Sequence, residues 1–178
     1  MIAVRDAADA DLAAILAIYN EAVANTTAIW NEQQGDLDSR RAVLADRRAR
    51  NFPFLVAERS GEVVGYASFG DFRPFDGYRH TVEHSVYVRH DRRGESIGRT
   101  LVLALIERAR SLGKHVMVGG IEAGNVASIR LHESLGFVVV GRLPEVGFKF
   151  GRWLDSVLMQ RALGDGDRAD PKAIAALR

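Results

Sequence analysis

The stretch from Val86 to Arg99, VYVRHDRRGESIGR, constrains the fold more than any other. Ahead of it, Thr81 to Val88 (TVEHSVYV) has the β-branched and aromatic content of a strand. From Glu95 the apolar period becomes helical. Ile97, Leu101, Leu105 and Leu112 recur along one face, and Gly113 closes the helix. A strand, a basic glycine-containing turn and a helix start therefore follow one another within fourteen residues. A helix N-terminus presents unpaired N–H groups and the positive end of a dipole, which together favour an anion. Glycine lets that backbone come close because no Cβ intervenes. Arg92, Arg93 and Arg99 add positive charge. Read alone, the segment also suits an ordinary strand-to-helix turn with solvated arginines.

The rest of the chain fits around this unit. Ile2 to Arg5 reads as a short strand, and Asp9 as the N-cap of a helix carrying Leu12, Ile15, Leu16, Tyr19 and Val23. A charged helix follows from about Asp38 to Arg50. Phe54 to Ala57 and Val63 to Phe69 are strands joined by the turn Arg59 to Glu62, and Asp71 to Arg79 is a loop. Val116 to Ile121 is a buried strand and Asn125 to Leu135 a short helix ended by Gly136. Phe137 to Gly141 opens another strand; Gly147 to Leu158 carries a turn at Phe150-Gly151 and a last strand through Val157 to Met159. The order β-α-α-β-β-β-α-β-α-β-β predicts an α/β fold, a mixed sheet with helices on both faces. One domain over residues 1–163 with a loose tail over 164–178 accounts for the length.

Composition narrows the function classes. The 178 residues carry a net charge of +1, which gives no ground for a nucleic-acid partner or a polybasic membrane contact. No apolar run approaches the roughly 20 residues that span a bilayer. The absence of cysteine removes thiolate metal sites and a cysteine nucleophile. Without a recognisable secretory signal at MIAVRDAADADL, the expectation is a cytoplasmic protein with no metal.

Two motifs carry a resemblance. Arg93-Gly94-Glu95-Ser96-Ile97-Gly98 resembles the R/Q-x-x-G-x-G/A signature of the GNAT superfamily of N-acetyltransferases, with Ser96 at the first signature glycine. Asn125-Val-Ala-Ser128-Ile-Arg-Leu-His132-Glu-Ser-Leu-Gly136-Phe137 resembles the superfamily's second signature, with His132 where many members have tyrosine. Within the superfamily the chain is similar to the phosphinothricin and methionine sulfoximine/sulfone N-acetyltransferases. That likeness runs through Tyr19-Asn20, Asn25-Thr26-Thr27, Thr81 to Val88, Arg130 to Glu133 and Gly147 to Asp155. It implies a GNAT-like, largely antiparallel twisted sheet, acetyl-CoA as co-substrate, a small amino-acid analogue as acceptor, and a homodimer. It further implies cofactor contacts from Val86, Tyr87, Val88, Arg93, Gly94, Glu95, Ser96, Ile97, Gly98, Arg99, Asn125 and Ser128. Arg73, Pro74, Phe75, Glu83, His84 and Ser85 would border the acceptor.

The chemistry then needs a base, because an α-amino group at neutral pH is mostly ammonium. Strand alternation puts Glu83 on one face with Ser85 and Tyr87, which makes it the candidate. The Val88 N–H is the candidate donor to the acetyl oxygen. His132, or alternatively Tyr87, would protonate the departing thiolate. Arg73 would hold an α-carboxylate, with Phe72, Phe75 and Trp30 enclosing a short side chain. Lys149 and Arg152 read as surface charges or as groups reaching a partner's pocket. Two rival functions remain: an acetyltransferase for another amine (a protein N-terminus, a polyamine, an aminoglycoside) and a non-catalytic CoA-binding sensor.

Overall fold

A computed structural model describes residues 2–164. Apart from Gly164, the expected loose tail lies outside the described residues. The elements are β1 (Ala3–Asp6), α1 (Leu12–Asn25), α2 (Leu37–Ala49), β2 (Phe54–Arg59), β3 (Glu62–Asp71), β4 (Thr81–Val88), α3 (Ile97–Ser111), β5 (Val116–Glu122), α4 (Val126–Ser134), β6 (Val138–Lys149) and β7 (Arg152–Ala162). Their order is the one the sequence predicts. The seven strands form one sheet, ordered β1-β2-β3-β4-β5-β7-β6. Every pairing is antiparallel except β4 with β5.

Each face of the sheet has its own core. On one side α3 buries Ile97, Leu101, Val102, Leu105 and Ile106 against Ala67, Phe69, Val82 and Met117. Each large apolar side chain removed from water there contributes roughly 1.5–3 kcal/mol. Gly65 permits this contact, since a Cβ on it would sit 2.9 Å from the Tyr87 carbonyl and 3.1 Å from Ile97. On the other side α1 and α2 bury Ile15, Ile18, Val23 and Leu44 against Phe54, Val56 and Tyr66. The helices do lie on both faces.

Three local readings need correction. Asp9 does not cap α1: a 3-10 turn over Asp9–Asp11 intervenes, and the Asp11 carboxylate accepts from Ala8 N–H at 2.7 Å and pairs with Arg5. Helix α3 begins at Ile97, two residues later than expected, because Ser96 is left-handed at φ 62°. Arg142 to Val146, unassigned in the sequence reading, belongs to β6. Of its two register shifts, between Val139 and Gly141 and between Leu143 and Gly147, the second spans Pro144 on this edge strand, and β7 extends well beyond Val157–Met159. The turn at Phe150-Gly151 is where the sequence places it.

Trp30 lies flat on this hairpin. Its Nε1 donates to Thr27 O at 2.9 Å, and its ring covers Gly147 so closely that a Cβ there would fall 2.2 Å from ring carbons. It therefore packs the loop after α1 onto β6 and is not free to enclose a ligand.

Candidate active site

The site begins where β4 leaves β5. The parallel pairing covers Thr81, Val82 and Glu83 against Val116, Met117 and Val118, and then stops. On its other edge β4 stays paired with β3 through Val88. The hydrogen bonds Phe72 N–H to Thr81 O and Arg89 N–H to Val64 O fix the phase of that ladder. Ser85 and Tyr87 thus spend their backbone groups on β3, and those of Val86 and Val88 face the opening toward β5. The result is a cleft walled by a strand edge whose N–H and C=O groups have no neighbouring strand.

That edge runs into a groove of about 1070 Å³. Of the expected cofactor residues, Val86, Tyr87, Val88, Arg93, Gly94, Ser96, Ile97, Gly98, Arg99, Asn125 and Ser128 line it. Glu95 does not; it pairs with Arg59 and lies 3.7 Å from Arg92. The residues fit a long anionic ligand. Gly94 stands at φ 83° with open space where a Cβ would be. Gly98 lies against Leu131, where a Cβ would meet a methyl at 3.3 Å. Asn125 caps α4, accepting from Ser128 N–H at 3.1 Å. Arg99 is held by Ser134 Oγ at 2.9 Å, and Arg93 pairs with Glu21 at 3.1 Å. The sequence reading missed the far wall, Thr26, Thr27, Ala28, Glu122, Phe150 and Arg152. The likeness through Asn25-Thr26-Thr27 and Gly147 to Asp155 was the visible signal for part of it.

Consecutive residues of β4 then part company. Glu83 is half-buried on the α1–α2 side of the sheet, its Oε1 over Gly120, where a Cβ would stand 3.4 Å away. Burial raises its pKa, and the nearby Arg73 guanidinium pulls it back down. Tyr87 packs at 5.2 Å against Tyr66 on the same side, and burial raises its phenol pKa, so it keeps its proton at neutral pH. Ser85 is exposed beside them.

His84 turns the other way. It is buried on the α4 side, its ring parallel to that of His132 with centroids 5.0 Å apart and both set edge-on to Phe137. His132 Nδ1 donates to Ser128 O at 2.7 Å, leaving its Nε2 to accept from His84 Nε2–H at 3.2 Å. Burial lowers both pKa values, that of His84 to about 3. One expectation is corrected here: with both ring nitrogens bonded within the protein, His132 has no free nitrogen for a thiolate. His84, expected to border the acceptor, lies on the sheet face opposite Glu83 and lines a small cavity of about 80 Å³ with Ser85, Tyr87 and His132. Gly119 makes room for the pair, since a Cβ on it would stand 3.1 Å from His84 Nε2.

The expected acceptor loop is open. Arg73, Pro74 and Phe75 are exposed, Phe75 at 70%. Arg73 stacks its guanidinium 4.3 Å from the Phe72 ring centroid and donates to Phe72 O, and Phe72 meets Tyr78 edge to face. Among the described residues no carboxylate pairs with Arg73. No group of His, Asp and Glu arranged to hold a metal occurs among the described residues, and no helix there is long and apolar enough to cross a membrane.

Comparison with known proteins agrees with this geometry. Residues 4–158 match the acetyltransferase (GNAT) domain family. The chain is 59% identical to the L-methionine sulfoximine/L-methionine sulfone acetyltransferase of Pseudomonas aeruginosa over 169 residues, 94% of this chain and 98% of that one. Among solved structures, a putative acetyltransferase from Salmonella typhimurium with its cofactor acetyl-CoA superposes with a TM-score of 0.92 at 53% identity, over 96% of this chain and 99% of that one. A protein described as a ribosomal-protein-alanine N-acetyltransferase from Brucella melitensis superposes at 0.89 with 58% identity, over 90% of this chain and 99% of that one.

Proposed function

The chain belongs to the acetyltransferase (GNAT) family, and from that premise we propose that it acetylates the α-amino group of a small amino-acid analogue, methionine sulfoximine or methionine sulfone ahead of phosphinothricin. The observation that carries this reading is Glu83: a half-buried carboxylate of raised pKa, one strand face away from a cleft edged by unpaired backbone.

Acetyl-CoA supplies an acetyl group activated as a thioester. The N-terminus of α3 with Gly94, Ser96, Gly98 and Arg99 would hold its pyrophosphate, and the free edge of Val86 and Val88 would pair with its amide-bearing arm. Glu83 takes the ammonium proton of the acceptor, and its raised pKa makes it a better base than an exposed carboxylate. The Val88 N–H, directed into the cleft by the ladder, is offered to the acetyl oxygen. Tyr87, protonated and beside the same cleft, is the remaining donor for the thiolate once His132 is spoken for. Arg73, without a carboxylate of its own among the described residues, receives that of the acceptor.

The reading also includes a cytoplasmic homodimer. Val138, Val140, Leu143, Val146, Phe148 and Trp153 are all exposed on β6 and β7, with Trp153 at 63%. Such an apolar edge suits a second copy of this chain. A rival acceptor, a protein N-terminal alanine, draws on the Brucella relative's description. It would bring no free carboxylate to Arg73.

The test is thiol release by purified protein with methionine sulfoximine, methionine sulfone, phosphinothricin, a polyamine and an alanine-starting peptide. Activity confined to the peptide or polyamine would defeat the amino-acid reading. In parallel, Glu83→Gln should lower kcat by about 10²-fold or more and leave acetyl-CoA affinity unchanged. Since the base must be ionised, wild-type kcat/KM should rise with pH through the raised Glu83 pKa, and this limb should vanish in the variant. A variant with full kcat and a raised KM for the amino acid would make Glu83 a binding residue instead.

A further inference from the structure

Lys149 is among the largest fully buried side chains, at 1% exposure. Its Nζ donates to Val23 O at 2.6 Å, Thr26 O at 2.8 Å and Ile29 O at 2.5 Å. Three donors meet three acceptors, so the ammonium is fully satisfied. Val23 lies in the last turn of α1 and Thr26 is its C-cap, so the cation sits at the negative end of the helix dipole. Among the described residues no carboxylate forms an ion pair with it. Apart from the Phe150 ring, whose centroid lies 4.7 Å away, the cation is held by carbonyls, and each of them belongs to the end of α1 or the loop that follows.

The connection matters because of what lies at either end of it. Thr26, Thr27 and Ala28 form one wall of the groove; Phe150 and Arg152, flanking the turn that begins one residue after Lys149, line it as well. Thr27 Oγ1 also donates to Glu122 Oε2 at 2.9 Å, which ties the same loop to the end of β5. Lys149 itself does not line the groove.

We propose that Lys149 is a positioning residue whose ammonium fixes the Thr26–Ala28 wall against the Phe150–Arg152 turn and so sets the affinity of the groove for acetyl-CoA. This rests on the reading of the groove as the acetyl-CoA site. The experiment pairs hydrogen exchange on the ligand-free protein with calorimetric titration of acetyl-CoA, for wild type, Lys149→Met and Leu44→Ala. Leu44 is the buried residue of α2 and lies outside the groove, so its variant reports on general loss of stability. In Lys149→Met, amides of residues 26–31 and 149–153 should exchange about 10-fold faster or more, and the Kd for acetyl-CoA should rise about 10-fold, as expected when a preorganised wall loosens. In Leu44→Ala neither segment should change selectively and Kd should hold. Unchanged exchange over these segments in Lys149→Met overturns the proposal, and so does faster exchange with unchanged Kd. If Lys149→Met does not fold, Lys149→Gln keeps two of the three donors and carries the same measurements at smaller amplitude. Failure of the wild type to bind acetyl-CoA would defeat the cofactor reading by itself, while the exchange result still judges Lys149.

Discussion

Glu83 and His84 are neighbours in sequence and end on opposite faces of the sheet in different environments, over Gly120 and Gly119 of β5 respectively. On the α1–α2 face, Glu83 over Gly120 is half-buried, charged when ionised and within reach of Arg73's field. On the α4 face, His84 over Gly119 is sealed against His132 and Phe137 and stays neutral. Both residues are plausible acid–base groups by type. What separates them is whether a proton can come and go. His84, buried among rings with only its Nε2 bonded, is held neutral by burial and acts as a packing element, whereas a carboxylate with one partly wet flank can turn over.

The strongest way to break this contrast is His132→Ala. It leaves His84 Nε2–H buried without an acceptor, which should cost about 1–3 kcal/mol of stability by denaturant titration. The kcat of the folded variant should nonetheless fall far less than that of Glu83→Gln. A loss as deep as the Glu83 variant's would put His132 back in the reaction.

The paired glycines sharpen it further. In Gly119→Ala the new methyl stands 3.1 Å from a histidine that cannot retreat, so Tm should drop by an amount corresponding to about 1–3 kcal/mol. In Gly120→Ala the contact to Glu83 is an ordinary 3.4 Å. Tm should barely move there, and any change should appear in kcat. Equal Tm losses would show that the two faces are packed alike.

The smallest effect lies at the groove's rim. Ser96 adopts φ 62° with no side-chain hydrogen bond at its cap, so glycine should relieve the strain. Ser96→Gly should stabilise by about 0.5–1 kcal/mol, measured as a shift in denaturation midpoint. A destabilised variant would mean that the hydroxyl has a partner in solution.

What the sequence makes legible follows from these same contacts. β4 and α3 announce themselves because the apolar period changes from two to helical across one turn, and the groove residues ride on that change. The roles of Gly119 and Gly120 are invisible, since each acts by lacking a Cβ that only the fold gives a neighbour. Lys149 is hidden for another reason: within Phe148-Lys149-Phe150 it reads as a surface charge, yet one of its carbonyl acceptors lies 126 residues away. Arg142 to Val146 escapes notice because Pro144 argues against a strand unless a bulge absorbs it. The face occupied by His84 was within reach of simple alternation, which already set it opposite Glu83.

Trp30 on Gly147 limits how this chain can drift. Any residue other than glycine at position 147 must evict the indole, because a Cβ has nowhere to go. A smaller residue at 30 would free that space but surrender the bond to Thr27 and, with it, part of the loop beside the groove. Neither position can change first without loss, so descendants of this sequence should keep both or replace both together.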